Sequence, residues 1–371
     1  MTGLTVTAGQ IVALRLFDVA YAIDIKRAEA AWAGYAAGRT GRARLSATPP
    51  KAVAFGVPPL EIALDPVALD LGGRPVELAV TARLYEFGAV SLALRLPVAE
   101  LPWQGFVTQV LALHAAVGLS AESAVWDRLL DHLRGIVATA LDKPVNTALT
   151  EDYLFAVVQS FDGRPDAAAV LAQVDLVPLL SGEHRPLSDA ARADLLRNRF
   201  SYYADDLVVL TWDRAFIYEP RGERDVLDVL EVANAQLLEM RYYDELLDDE
   251  LPRMYDLVES TRRGRMLFAA RRYAGLARRL YTLVAEVTEL TEKVDNALQV
   301  TEDVYLARVY TAALELFRVR TVSAAVDRKL ALIRDTYAAL YDEASSSRSA
   351  VLEITITILI LVELVLALLR H

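Results

Sequence analysis

The chain reads as an α+β protein. An N-terminal α/β body with two β-hairpins and packed helices precedes a long antiparallel coiled-coil hairpin and a C-terminal transmembrane helix. Three observations predict this. Residues 76–96 read as a hairpin with clean alternation over 91–96, and residues 199–220 as a second hairpin whose strands flank a short turn. Apolar residues then recur at three-to-four spacing from Tyr273 to Leu340. The chain finally runs VLEITITILILVELVLALL over Val351–Leu369, with fourteen Leu, Ile or Val residues. The body is therefore placed at 1–247, the coiled-coil hairpin at 248–345 and the span at 351–369.

In chain order, Ile11–Ile25 carries strand-like apolar residues and Arg27–Ala37 reads as a short Ala-rich helix. Gly38–Pro50 is a Gly/Arg/Pro loop. In the first hairpin, Leu92, Leu94 and Leu96 alternate with Ser91, Ala93 and Arg95, and Gly88 supplies the turn or bulge. Helices follow near 100–117 and 121–141. Tyr153–Phe161 reads as a strand, a short helical stretch runs from Pro165 to Leu180, and Ser188 is placed to cap another helix. The second hairpin pairs Leu207–Thr211 with Ala215–Tyr218. From Asp225 the period becomes helical, with Leu227, Leu230, Ala233, Leu237 and Met240 on the face that packs on the sheet.

Two heptad blocks make up the rest. The first includes Tyr273, Leu276, Leu280, Leu283, Val287, Leu290 and Val294. The second includes Val309, Ala312, Leu316, Val319, Val326, Leu330, Ile333 and Leu340. The register slips at residues 299–303, where Thr301 is placed as an N-cap, so the blocks read as an antiparallel pair. One continuous helix with a stutter is the alternative. An exposed seam through Leu276, Leu283, Leu290, Leu316, Leu330 and Ile333 implies a homo-oligomer.

For the apolar run, an inserted Leu, Ile or Val contributes roughly 0.3–0.6 kcal/mol, and a charge at the bilayer centre costs about 2.5–3.5 kcal/mol. Fourteen apolar residues outweigh Glu353 and Glu363 on that scale. A buried helix in a soluble oligomer and, over Glu353–Ile358, a strand are the competing readings.

The segment Leu352-Glu353, the later Ile360-Leu361-Val362-Glu363 and the preceding turn Ser345-Ser346-Ser347-Arg348 follow a heptad helix. In that order they resemble the C-terminus of the "required for meiotic nuclear division" family, with Ile354 where that family has an aromatic. Leu84-Tyr85-Glu86-Phe87-Gly88-Ala89-Val90 also resembles a strand near the start of that family's domain. The resemblance implies a membrane-associated, non-catalytic protein with a link to translation.

Composition narrows the classes further. A net charge of −11 argues against general nucleic-acid binding, and no specific DNA binding is expected. The absence of cysteine excludes disulfides, thiolate metal sites and cysteine nucleophiles. Mean hydropathy is +0.27. The start MTGLTVTAGQ lacks a basic region before an apolar core, as a secretory signal would have. The location expected is the cytoplasmic face of the cell membrane, held by a C-terminal anchor in the lipid bilayer.

No Walker A, GxGxxG, HExxH or GxSxG string occurs. His114, His132, His184 and His371 are too scattered to form a ligand set, so neither cofactor nor metal is expected. Asp244, Glu245, Asp248, Asp249 and Glu250 read as a solvated acidic helix terminus. Beyond them lie Arg262, Arg263, Arg265, Arg271, Arg272, Arg278 and Arg279 with no acid between. They form either a solvated face paired with those acids or a contact for a ribosome or anionic lipid. The leading expectation is a non-catalytic, membrane-anchored oligomeric scaffold or tether. The alternatives are a soluble oligomer with a buried C-terminal helix, and an enzyme using Asp205, Asp206, Asp213 and Arg214.

Overall fold

A computed structural model describes residues 4–37, 53–54, 57–118, 124–146, 148–183, 185–262, several positions between 275 and 288, 299–300 and 303–369. The chain divides into two compact units, Met1–Glu239 with Lys293–Arg320, and Met240–Glu292 with Thr321–His371.

The first unit is built on one eight-stranded sheet. Its strands are β1 (Thr5–Asp18), β4 (Leu60–Asp70), β5 (Pro75–Leu84), β6 (Ala89–Pro102), β8 (Thr150–Phe161), β9 (Arg199–Phe200), β10 (Leu207–Leu210) and β11 (Arg214–Tyr218). They lie in the order β4-β5-β6-β1-β8-β11-β10-β9. The two hairpins expected from the sequence are thus parts of a single sheet rather than separate features. The fourteen-residue β1 joins them, pairing antiparallel with β6 and β8. Among the described strands, only β8 and β11 pair in parallel. Two small sheets accompany it: β2 (Ala20–Ile23) with β7 (Leu141–Pro144), and β3 (Val53–Ala54) with β12 (Gln299–Val300).

Pleating sends alternate residues of the central strands to opposite faces. One face carries Ile11, Ala13, Leu92, Leu94, Leu154, Ala156 and Phe216 into the main core. It packs with α1 (Ile25–Ala37), α2 (Trp103–Val117), α3 (Val125–Val137), α4 (Ala167–Gln173) and α5 (Val177–Ser181). A short α6 (Asp189–Leu195) follows, and Ser188 caps it by accepting the Ala191 amide at 3.3 Å, as its position predicts.

Tyr85, Ser91 and Tyr153 lie on the opposite face. It meets the start of α7 (Asp225–Arg262) and, through the Tyr153–Phe317 ring contact at 5.4 Å, the turn that ends α8 (Val304–Leu316). The Tyr310 hydroxyl on α8 donates to Gln236 on α7 at 2.7 Å. Near its start α7 is therefore buried almost all round, not on one stripe. The predicted sheet-facing residues Leu227, Leu230, Ala233, Leu237 and Met240 are all buried.

In the second unit, α7 meets α9 (Val319–Leu369), where Lys329 pairs with Asp244 and Asp248, each at 2.6 Å. The second heptad block was expected to form one helix, and here the structure differs. Phe317 and Arg318 form a turn, Arg318 with φ of 57°, so α8 and α9 are separate helices. The cap of α8 is Asp303, whose carboxylate accepts the Tyr305 and Leu306 amides at 2.8 and 3.1 Å. Thr301 lies outside the described residues.

The expected transmembrane helix is corrected. Residues 351–369 are not a separate span but the end of the 51-residue α9. Among the described residues, no helix is long and apolar enough to cross a membrane. The described side chains of that stretch run only from Ile356 to Ile360, with Thr357 among them. The side chains of Glu353 and Glu363, expected as membrane-helix polar groups, are outside the described ones.

Candidate functional site

Among the described residues of the first unit, three of the polar constellations bear on a site, and they differ in how fully their charges are used. The most buried lies between β4, β5, β6 and α7. Arg83 on β5 donates through Nε to Glu61 at 2.9 Å and pairs through one terminal nitrogen with Asp228 at 2.7 Å and Glu231 at 3.0 Å. The Tyr85 hydroxyl donates to Glu231 at 2.7 Å, and the Ser91 hydroxyl donates to the same oxygen. Arg224 reaches Glu61 at 3.4 Å.

Burial pushes the Glu61 carboxyl up, but the guanidiniums of Arg83 and Arg224 outweigh it and hold the group below its ordinary value. Asp228 moves the other way, because burial and the neighbouring Glu231 outweigh its share of Arg83. Carboxylates crowd the buried Arg83 guanidinium here, and the contacts of Arg83, Tyr85 and Ser91 with Asp228 and Glu231 tie α7 to the sheet. The arrangement locks the fold.

The second constellation sits at the turn after β10. Arg214 donates to Leu179 O at 3.0 Å, closing the end of α5, and lies 3.3 Å from His114 Nδ1. Asp213 accepts from Thr211 Oγ1 at 3.2 Å and from Arg214 Nε at 3.3 Å. Burial and the adjacent Arg214 push the His114 imidazole below its ordinary value. Gly182, with φ of 67°, packs under the guanidinium, where a Cβ would come within 2.4 Å of it.

The third lies at the other end of the same hairpin. Asp206 accepts the Tyr202 and Tyr203 amides at 2.7 and 3.0 Å, closing a turn. A cavity of about 300 Å³ opens there, bounded by this turn, the segment from Glu219 to Val226 and the start of α8. The four residues weighed as an enzymatic site are thus split by the length of β10, with Asp205 and Asp206 at one end and Asp213 and Arg214 at the other. Asp206, Asp213 and Arg214 each have a turn-forming or capping task.

Of the arginine run, Arg278 is helical and exposed, and Arg262 closes α7 with its side chain outside the described ones. Arg263, Arg265, Arg271, Arg272 and Arg279 lie outside the described residues. The acids before them sit within α7 rather than at its end. Asp244 and Asp248 take Lys329, and Glu250 takes Arg253 at 2.6 Å.

Of the expected oligomer seam, Leu330 and Ile333 are buried within the single chain and Leu316 is half-buried. Leu276, Leu283 and Leu290 lie outside the described residues. Among the described residues no group of three or more His, Cys, Asp or Glu is placed to hold a metal.

Sequence reasoning missed the Arg83 constellation because its members are far apart in the chain. Arg83 and Glu231 are separated by 148 positions. The only local signal was a charged residue on the alternating strand β5, opposite Ser91 in register. It also missed the cavity, which the hairpin turn shares with two helix starts.

Residues 8–225 match the family described as "Uncharacterized protein MJ0711, N-terminal domain". The chain is also 25% identical over 194 residues to "Uncharacterized protein MJ0711" of Methanocaldococcus jannaschii, covering 52% of this chain and 58% of that protein. It thus spans less than two thirds of the length of that relative. No solved structure matches. These findings overturn the resemblance to the "required for meiotic nuclear division" family. The match lies in the α/β body, whereas that resemblance rested on a Leu-Glu pair and an apolar helix, short signals of common composition. The membrane and tail-anchor expectations lose that support as well.

Proposed function

This chain belongs to the MJ0711 N-terminal domain family, and from that premise we propose that it acts as a non-catalytic oligomeric scaffold. The body supplies a rigid platform, and the C-terminal part of α9 joins one copy to another. One observation carries the reading. Ile356, Ile358, Leu359 and Ile360 are 48, 56, 60 and 56% exposed. They lie within little more than one turn, so they point all round the helix rather than along one stripe. A helix turn that opens four large apolar side chains to water, with Thr357 the one polar residue among them, requires cover.

A second copy of the same helix provides an identical apolar surface, and a two-fold axis buries both at once. The seam residues Leu330 and Ile333 are already occupied within the chain, so assembly is assigned to the 356–360 turn instead. The non-catalytic part of the proposal is supported by the tasks of Asp206, Asp213 and Arg214, each engaged in local structure.

Sedimentation equilibrium on the full chain and on a chain ending at Ala350 tests the proposal. The full chain is expected at two or more times 40.9 kDa, and the shortened chain as a monomer whose far-ultraviolet helical signal falls only by the residues removed from α9. A monomeric full chain, or a shortened chain that assembles equally well, overturns it.

A further inference from the structure

The cavity beside the second hairpin holds more than a turn requires. Three tyrosine rings meet there. Tyr202 and Tyr203 lie edge to face with centroids 4.7 Å apart, and Tyr202 lies 5.5 Å from Tyr305. Five carboxylates, those of Asp206, Glu219, Glu223, Asp225 and Asp303, line the same space against a single cation among the described lining residues, Arg221. The local structural tasks of Asp206 and Asp303 fix two of these carboxylates in position. They leave the excess of negative charge in place.

Arg221 shows how the pocket treats a guanidinium. Its Cζ lies 4.1 Å from the Tyr203 ring centroid, its Nε donates to Glu219 at 3.3 Å, and a terminal nitrogen lies 3.6 Å from Glu223. Ring face plus paired carboxylates is the combination that selects a planar, delocalised cation. Yet the Arg221 side chain is 45% exposed while Glu219 is buried. The arginine therefore stands at the rim rather than filling the interior. The volume falls at the lower end of the range of small-ligand sites, roughly 300–1,000 Å³.

We propose that this pocket binds a guanidinium group presented from outside the chain, and that Arg221 is a tethered competitor that the incoming group displaces from Tyr203 and Glu219. The guanidinium has two sources, a free guanidino compound or an arginine side chain of a partner protein. The proposal is independent of the oligomeric reading, because the pocket and the 356–360 turn share no residue.

Calorimetric titration of the full chain at low salt tests it, with arginine methyl ester and the amidated peptide Gly-Arg-Gly as probes and lysine methyl ester as comparison. Arg221→Ala keeps the backbone amide that donates to Glu219 and is expected to melt as wild type does. It should bind the arginine probes about 10-fold more tightly than wild type, since a tethered competitor is removed. Adding the exposed-site change Glu223→Gln should reverse part of that gain. A peptide at least about 10-fold tighter than the ester assigns the source to a partner's arginine, and equal affinities assign it to a free compound. Absence of saturable binding to Arg221→Ala, affinity no greater than wild type, or lysine methyl ester binding as tightly as arginine methyl ester would each overturn the proposal.

Discussion

Asp18, at the end of β1, is buried, and its Oδ2 has no hydrogen-bond partner. Burial pushes its carboxyl up to about 7, with the Ala20 amide and Arg134 opposing. An acid whose folded value is raised holds its proton in the folded state over a range where the unfolded chain has lost it. Its contribution is therefore most favourable below the ordinary value of 3.8 and declines as pH rises to about 7. The decline is about 1.4 kcal/mol for each pH unit. Asp18→Asn should then gain melting temperature relative to wild type as pH rises from 4.5 to 7.5, and parallel melting profiles would refute the assignment.

Gly88 gives a second residue-scale test. Its φ is 103°, and a Cβ would lie 1.8 Å from Ala20 O. Gly88→Ala should cost about 3 kcal/mol, read as a lower urea midpoint. The need for a glycine was legible in the sequence from its place between two alternating runs. The Ala20 carbonyl that enforces it was not, since β2 approaches through the tertiary fold.

At the scale of elements, the Arg83 cluster is what fastens α7 to β4, β5 and β6. Arg83→Ala leaves Glu61, Asp228 and Glu231 crowded without their shared cation. The expected loss is about 3–5 kcal/mol, measured by denaturant unfolding. Arg83→Lys should restore only part, because one ammonium cannot reproduce the guanidinium fork that serves Glu61 on one side and α7 on the other. Full recovery with lysine would show that charge alone suffices.

The apolar periodicity of α7 found the residues that pack, Leu227 to Met240. It could not show that Asp228 and Glu231 are buried beside them, because their partners lie on strands far away in sequence. Likewise the heptad spacing runs on numerically through residues 316–319. The turn at Arg318 carries no glycine or proline to mark it, so two helices read as one. The strands fared better, since alternation survives without knowledge of partners. Their order in one sheet required the long-range pairing of β1 with β8.

At the scale of the whole molecule, hydropathy read the C-terminus as a membrane span, whereas among the described residues no helix is long and apolar enough to cross a membrane. A count over 351–369 treated the stretch as a free span, when its backbone continues a 51-residue helix. In the proposed scaffold, the exposed turn Ile356–Ile360 is covered by a second copy of itself. The chain has no cysteine, so a single engineered thiol reports on one position without background. The most direct measurement is oxidative cross-linking and maleimide labelling of Ile358→Cys in the full chain. Pairing through this turn predicts a disulfide-linked dimer on mild oxidation and slow labelling before it. Rapid, complete labelling with no cross-linked dimer would contradict it.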